Sequence, residues 1–370
     1  MTTHAKLSAS GASRWINCPG SVAAEDGIIE KSSAYADAGS TAHELAEICL
    51  VNNNSPENFL GELLPENNSI AVDIEMINAV RDYIDYVKTI PGAREYEQRV
   101  DYSEWVAGGF GTSDVISVDN DTIYIVDLKY GKGIRVDADN NSQLMLYALG
   151  AYSERELLHD MKNVKMVIMQ PRLDHISEWE MSVDDLLKWG AWVAERAEIA
   201  LSDDAERVPG EKQCQWCKAK ARCPALEAYA HKIIGADFEQ LDEATQLSDE
   251  QIGKALSAKK LIIGWLDAVE DYVFQKLSSG ETFEGYKLVE GRSIRQWADI
   301  DEVTPALIER LADQAYEQKL ISPAKAEKLL GKNKKDIASF IVKPAGKPTL
   351  APSSDKRPAV NLSEDDFEIV

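Results

Sequence analysis

The chain has 370 residues, with 40 Lys and Arg against 63 Asp and Glu, a formal net charge of -23. A protein this acidic does not hold nucleic acid by diffuse surface charge, because phosphate contact supplies most nonspecific affinity; any such binding needs basic groups gathered in a groove and should be salt-sensitive. No uninterrupted apolar run is long enough to span a bilayer, which excludes a transmembrane helix.

Residues 1–15 are small and polar without an apolar core, so no signal peptide is expected and the setting reads as a reducing cytosol. Cys18 follows in Asn17-Cys-Pro-Gly. In Gly39-Ser-Thr-Ala-His-Glu, Thr41 and Glu44 form a capping-box pattern ahead of Leu45, Ala46 and Ile48, which predicts a helix with His43 in its first turn. The positive end of a helix dipole disfavours imidazolium there, leaving a neutral ring able to bind metal. Cys49, on the same helix, reads as a small core residue. Ile74, Ile77, Val80, Ile84 and Val87 recur at helical spacing and predict a helix packed beside a sheet.

Glu97, in a strand before Asp114, reads as a solvated edge carboxylate in preference to a site residue. The segment 110–118, with Val115, Ile116 and Val118, predicts a strand, and Asn120 with Asp121 marks a turn. Ile123, Tyr124, Ile125 and Val126 then read as a strand apolar on both faces that runs into Asp127, Leu128 and Lys129. Alternation puts Asp127 and Lys129 on one face, and hairpin pairing brings Asp114 toward Asp127. Two carboxylates suffice for Mg2+ or Mn2+, which prefer carboxylate, water and phosphate oxygens. A bare Asp-x-Lys also occurs as an exposed ion pair, so its neighbours decide its meaning.

Lys132 and Arg135, in the glycine-containing loop that follows, are candidate phosphate contacts or ordinary solvated loop residues. A helix over 142–152 places Gln143 and Tyr147 on one face at i and i+4. Residues 164–170 predict a further strand ending at Pro171, and 177–182 alternate as its hairpin partner. Cys214, Cys217 and Cys223 form C-x2-C-x5-C, and with the remote Cys18 they make a one-plus-three set of thiols suited to a [4Fe-4S] cluster or zinc. Zinc ribbons more often split their ligands two and two.

Beyond residue 236 helical patterns take over: 249–277, 305–318 and a short helix from Ser322-Pro323. Lys287, Arg292, Arg295 and Trp297 lie between them, read as a small hairpin covering the helices, with nucleic-acid contact the alternative. From Lys343 the chain is rich in Pro, Lys and Ser and reads as disordered. It ends in Glu364, Asp365, Asp366, Phe367, Glu368, Ile369 and Val370, which resembles partner-docking tails of single-stranded DNA-binding proteins. A single-strand-binding or annealing protein is the partner this implies, a solubilising tail being the default. The domains expected are 1–235, 236–342 and 343–370.

Gly39 to His43, Gly111 to Asp114, Asp127-Leu128-Lys129 and Gln143 to Tyr147 match, in that order, the GxxxH, GxxD, (D/E)xK and QxxxY motifs of one nuclease group. The chain thus resembles the RecB-like branch of the PD-(D/E)XK nuclease superfamily, which includes Cas4, the AddB nuclease domain and similar phage proteins. The resemblance implies an α/β fold with a restriction-endonuclease-like central mixed sheet flanked by helices, to which the mainly helical C-terminal domain is added. It implies His43, Asp114 and Asp127 as metal ligands, and Asp114, Asp127 and Lys129 as the catalytic set. Gln143 and Tyr147 would position the DNA strand and its ends. The one-plus-three cysteines look like the [4Fe-4S] site of that branch, which joins the two ends of the nuclease domain. Two departures stand out: Ser113 occupies the position of the motif proline, and the third motif carries Asp127 in place of Glu.

The implied activity is a Mg2+- or Mn2+-dependent DNA exonuclease acting on single strands or duplex ends, in phage recombination or DNA processing. A structure-selective endonuclease and a noncatalytic DNA-end-binding subunit are the alternatives. The intact carboxylate pair and lysine argue against the last, since a binding module has no need of them.

Overall fold

The sheet grows from a run of apolar sequence that cannot face water on either side. In the computed structural model, which describes residues 5–28, 33–67, 69–235, 249–289, 304–305 and 308–309, β1 (Ala93–Asp101), β2 (Phe110–Asp119) and β3 (Thr122–Leu128) form an antiparallel meander. Asn120 takes the left-handed conformation in the β2–β3 turn, with φ of 51°, as short Asx side chains tolerate. β4 (Asn163–Gln170) lies parallel to β3, a pairing that requires a crossover, and α5 (Ser142–Arg155) supplies it. β5 (His175–Ser182) closes the order 1-2-3-4-5 antiparallel to β4. The fold is α/β, a five-stranded mixed sheet flanked by helices.

Two apolar layers cover the sheet. On one side Ile116, Ile123, Ile125, Val164, Met166 and Ile168 pack against α5, α6 (Val183–Leu201) and α1 (Ala12–Asn17). On the other, Val115, Val126, Leu128 and Val167 meet α3 (Ala34–Asn52) and α4 (Ile74–Val87). Asp73 caps α4 by accepting the Met76 N–H at 2.7 Å, and Asn141 caps α5 by accepting from Gln143 and Leu144. Both caps fix where the helices begin beside the sheet.

α3 corrects one expectation. It starts at Ala34 under a Ser33 cap, so His43 sits in mid-helix and not in a first turn. The Thr41 hydroxyl donates to the Asp37 carbonyl one turn back, at 2.9 Å, and the Glu44 carboxylate accepts the Glu66 and Asn67 N–H groups at 2.9 and 2.8 Å. A Thr-x-x-Glu pair thus satisfies itself inside a helix as well as at its start.

The two ends of the sheet domain are tied together. Short helices α2 (Ser21–Glu25) and α7 (Glu211–Gln215) flank the contact, and α8 (Pro224–Gly235) and α9 (Asp249–Ser278) follow. Arg14 bridges Glu25 at 2.9 Å and donates to the Trp216 carbonyl at 3.1 Å. Arg196 donates to the Ile16 carbonyl at 2.8 Å, and the Gly20 N–H to that of Glu206 at 2.8 Å.

The chain divides into two compact units, Met1–Phe283 and Glu284–Val370. The boundary expected near residue 235 falls between α8 and α9, and the first unit continues through α9, whose Leu261 packs with Cys214 and Leu226. In the second unit, residues 304–305 and 308–309 are helical. The rest of the helix expected over 305–318, the one from Ser322, the residues Arg292, Arg295 and Trp297, and the acidic tail lie outside the described residues. No helix among the described residues is long and apolar enough to cross a membrane.

Candidate metal centre and cysteine site

Strand register alone assembles a row of carboxylates. Tyr96 pairs with Val115 and Gln98 with Ser113, which puts Glu97 opposite Asp114; Val115 pairs with Val126, which puts Asp114 opposite Asp127. Three acidic residues therefore cross three adjacent strands, which lie about 4.8 Å apart. Glu97 has φ of 47°, the left-handed region that costs a non-glycine residue energy and that persists where surrounding structure enforces it.

α3 brings His43 to the same point. Its Nδ1 lies 3.3 Å from Asp114 Oδ2, which also accepts the Leu128 N–H at 2.7 Å. Ligand atoms of His43, Glu97 and Asp114 all lie within 4.8 Å of one another, the spacing of a metal site. Asp127 is 2 % exposed and stands beside this group, its oxygens engaged by Lys129 Nζ at 2.7 Å and Gln143 Nε2 at 3.0 Å. Gln143 Oε1 in turn accepts from Lys129 at 3.1 Å, and its Nε2 lies 3.3 Å from the Tyr147 hydroxyl. Asp127 and Lys129 share a face as alternation requires, and one turn of α5 holds both from above. The His43 and Lys129 side chains are 33 % and 27 % exposed, so the pocket opens to solvent.

The electrostatics record an excess of negative charge. Burial favours neutral His43, but the charge and hydrogen bond of Asp114, with Asp127 beyond, outweigh it and push the ring up to about 9. The expectation of a neutral imidazole, argued from a helix N-terminus, is therefore corrected: the ring sits mid-helix and answers to carboxylates. Burial, reinforced by the Asp114 charge, pushes Glu97 up to about 7. Burial also raises Asp127 despite the pull of Lys129. Burial opposes ionisation of Asp114 too, yet His43, Lys129 and the Leu128 N–H hold it below the usual carboxylate range. Burial alone would discharge Lys129, but Asp127 and Asp114 keep it an ammonium. Three carboxylates facing one ammonium and one imidazole form a pocket that a divalent cation would neutralise.

Sequence reasoning missed Glu97, which was assigned to the solvated edge. Counting register across the meander would have found it. A stability test follows. In metal-free buffer at pH 8, Glu97→Gln removes a repelled, half-buried charge, and it should raise the melting temperature by a few degrees, since about 1 kcal/mol moves a domain of this size roughly 2–4 °C. Mn2+ should then stabilise the variant less than the parent in the same melting scan. Tyr83 was also missed: it is buried on α4, its hydroxyl has no partner among the described residues, and it feels the charges of Asp114, Asp127 and Glu97.

Gly111 has a packing reason. A Cβ there would lie 2.8 Å from Tyr147 Cε1, so any side chain would push the tyrosine off Gln143. A Cβ on Gly39 meets nothing within 4 Å, and packing gives no reason for glycine there. Lys132 and Arg135 stand apart from the row: each makes an exposed ion pair, Lys132 with Glu75 at 3.8 Å and Arg135 with Asp137 at 3.2 Å.

Cys18, Cys214, Cys217 and Cys223 all line one small cavity at the junction of the domain's ends. The Val208 N–H points at Cys18 Sγ, 3.2 Å away, and the Gly210 N–H at Cys214 Sγ, 3.4 Å away. Burial raises the thiols of Cys18 and Cys214 and pushes Cys217 up to about 12. Tetrahedral zinc with Zn–S near 2.3 Å would draw sulfurs to about 3.8 Å from one another. Among the described residues no set of three thiols meets the 4.8 Å spacing that His43, Glu97 and Asp114 meet. Cys49 is buried among α3 and α4 core residues, apart from the other four.

A family profile described as "Protein of unknown function (DUF2800)" matches residues 4–358. The chain belongs to the DUF2800 family. Both the carboxylate row and the cysteine cage thus lie inside the DUF2800 region. A solved structure described as "Crystal structure of SSO0001" aligns at 17% identity over 61% of this chain and 89% of that one, with a TM-score of 0.29.

Proposed function

We propose that this DUF2800 protein is a metal-dependent DNA exonuclease of the RecB-like PD-(D/E)XK type, serving phage recombination or DNA processing. The observation that carries the reading is the Glu97–Asp114–Asp127 row with His43 and Lys129 in one solvent-open pocket. His43, Asp114 and Glu97 would hold Mg2+ or Mn2+, His43 giving up its proton as the ion binds, with Asp127 joining from beside them. A bound ion of this kind polarises a phosphate and lowers the pKa of water.

The chain's own groups would do the rest. Lys129, kept cationic by Asp127 and Asp114, can orient an attacking water or offset charge developing on the phosphate. Gln143 grips both Asp127 and Lys129, so the lysine reaches the pocket in one direction. Tyr147, packed on Gly111 and in reach of Gln143, borders the place where a strand end would lie. In the cysteine cage, Cys18, Cys214, Cys217 and Cys223 would hold a [4Fe-4S] cluster whose part is architectural, closing the domain at its two ends.

Digestion of labelled linear DNA, single- and double-stranded, with each end blocked in turn and with Mn2+ present or absent, tests the reading. Metal-dependent release of mononucleotides from one unblocked end is expected. Cuts at junctions with both ends blocked would point to a structure-selective endonuclease, and binding without products to a noncatalytic subunit.

A further inference from the structure

Gly111 turns toward Tyr147 on α5, so its neighbours Phe110 and Thr112 lie on the opposite face of β2. The register pairs Arg99 with Thr112, so Arg99 shares the face of Phe110 and Thr112, two residues along β2 from Asp114, roughly 7 Å away along the strand. Its guanidinium carbon lies 3.9 Å from the Phe110 ring centroid. One face of the guanidinium is thus covered by the ring, while its N–H edges have no hydrogen-bond partner among the described residues. Arg99 is exposed and Phe110 half-buried. Asp101, on the same strand, has its carboxylate turned to the Ser103 N–H at 2.7 Å, although the Arg99 charge still helps to hold it low.

We propose that Arg99, stacked on Phe110, binds a non-bridging oxygen of the phosphate next to the scissile one. This rests on the nuclease reading above and adds a positioning residue to it. An exposed arginine ordinarily loses side-chain freedom when it binds; one already stacked on a ring loses less, and its planar donor edge fits phosphate oxygens. In a chain of net charge -23, a fixed cation two residues along the strand from the carboxylate row is where a strand backbone would find attraction.

The test compares full-length parent, Arg99→Ala, Arg99→Lys and Phe110→Leu. Fluorescein-labelled oligonucleotides of several sequences are bound in Ca2+ and cleaved in Mn2+. Expected for Arg99→Ala is affinity weakened about tenfold for every sequence, a log–log salt slope shallower by about one, and KM raised with kcat kept within about twofold. Arg99→Lys should restore the salt slope but not the full affinity, and Phe110→Leu should raise KM less than Arg99→Ala does. Unchanged affinity and KM in Arg99→Ala, in a parent that cleaves DNA, overturns this inference alone. So does a fall in kcat at unchanged KM, which a structural disturbance would give. A parent that neither binds nor cleaves overturns both this inference and the nuclease reading.

Discussion

Lys129→Ala should lower kcat on linear DNA by on the order of 10²–10³-fold at saturating Mn2+, the range lost when one preorganised charge-stabilising donor is removed. Lys129 lies 2.7 Å from Asp127 and 3.1 Å from Gln143, so its loss removes the only ammonium that any described carboxylate of the row contacts. Asp127 would be left buried with Gln143 as its remaining partner, and burial already pushes that carboxyl upward. It can take a proton in place of its ion-pair partner, so the fold should survive with a change in melting temperature small beside the change in rate. The matching measurement is single-turnover cleavage alongside a thermal melt. A Lys129→Ala protein that cuts at the parent rate would remove the lysine from the chemistry.

Cys18→Ser should destabilise the protein far more than an ordinary buried Cys→Ser change such as Cys49→Ser. Cys18 meets Cys214, Cys217 and Cys223 across nearly the whole first domain. If those thiols share one cluster, the cross-link closes a loop of roughly two hundred residues, worth about 5 kcal/mol in the chain-entropy treatment. That corresponds to a drop of about 10–20 °C in melting temperature for a domain of this size. Visible absorbance and iron content should fall in parallel, whereas Cys49→Ser should keep both. A colourless parent containing zinc would defeat the iron–sulfur assignment while leaving the structural tie.

The sequence displayed the site more fully than it displayed its setting. Ile123 to Val126 are apolar on alternate and intervening positions because β3 is central and covered on both faces, and Asp127 and Lys129 follow where the strand emerges. Periodicity placed α4 because its apolar stripe is built mostly from large side chains. α6 went unassigned although Val183, Leu186 and Val193 recur at helical spacing, because Gly190, Ala197 and Ala200 fill the rest of its buried face while Trp192 faces out. At Gly190 a Cβ would meet Trp105 Nε1 at 2.7 Å, so the helix is fitted to a tryptophan eighty-odd residues away, which no local pattern reveals. The start of α3 was misplaced because a Thr-x-x-Glu pair has two ways to satisfy its hydrogen bonds. Glu97 was undervalued because its neighbours in the row come from other strands, and only register joins them. The short helices around the cysteines follow from tertiary contacts, since five-residue segments do not hold helical form alone.

The most direct test of the carboxylate row is Mn2+ binding followed by electron paramagnetic resonance, with parent and Asp114→Asn protein titrated side by side. The expected result is loss of the free-ion signal in the parent, with at least one Mn2+ bound per chain, and little or no loss in Asp114→Asn. Equal binding by both proteins, or none by the parent, would contradict the placing of a catalytic cation among His43, Glu97, Asp114 and Asp127.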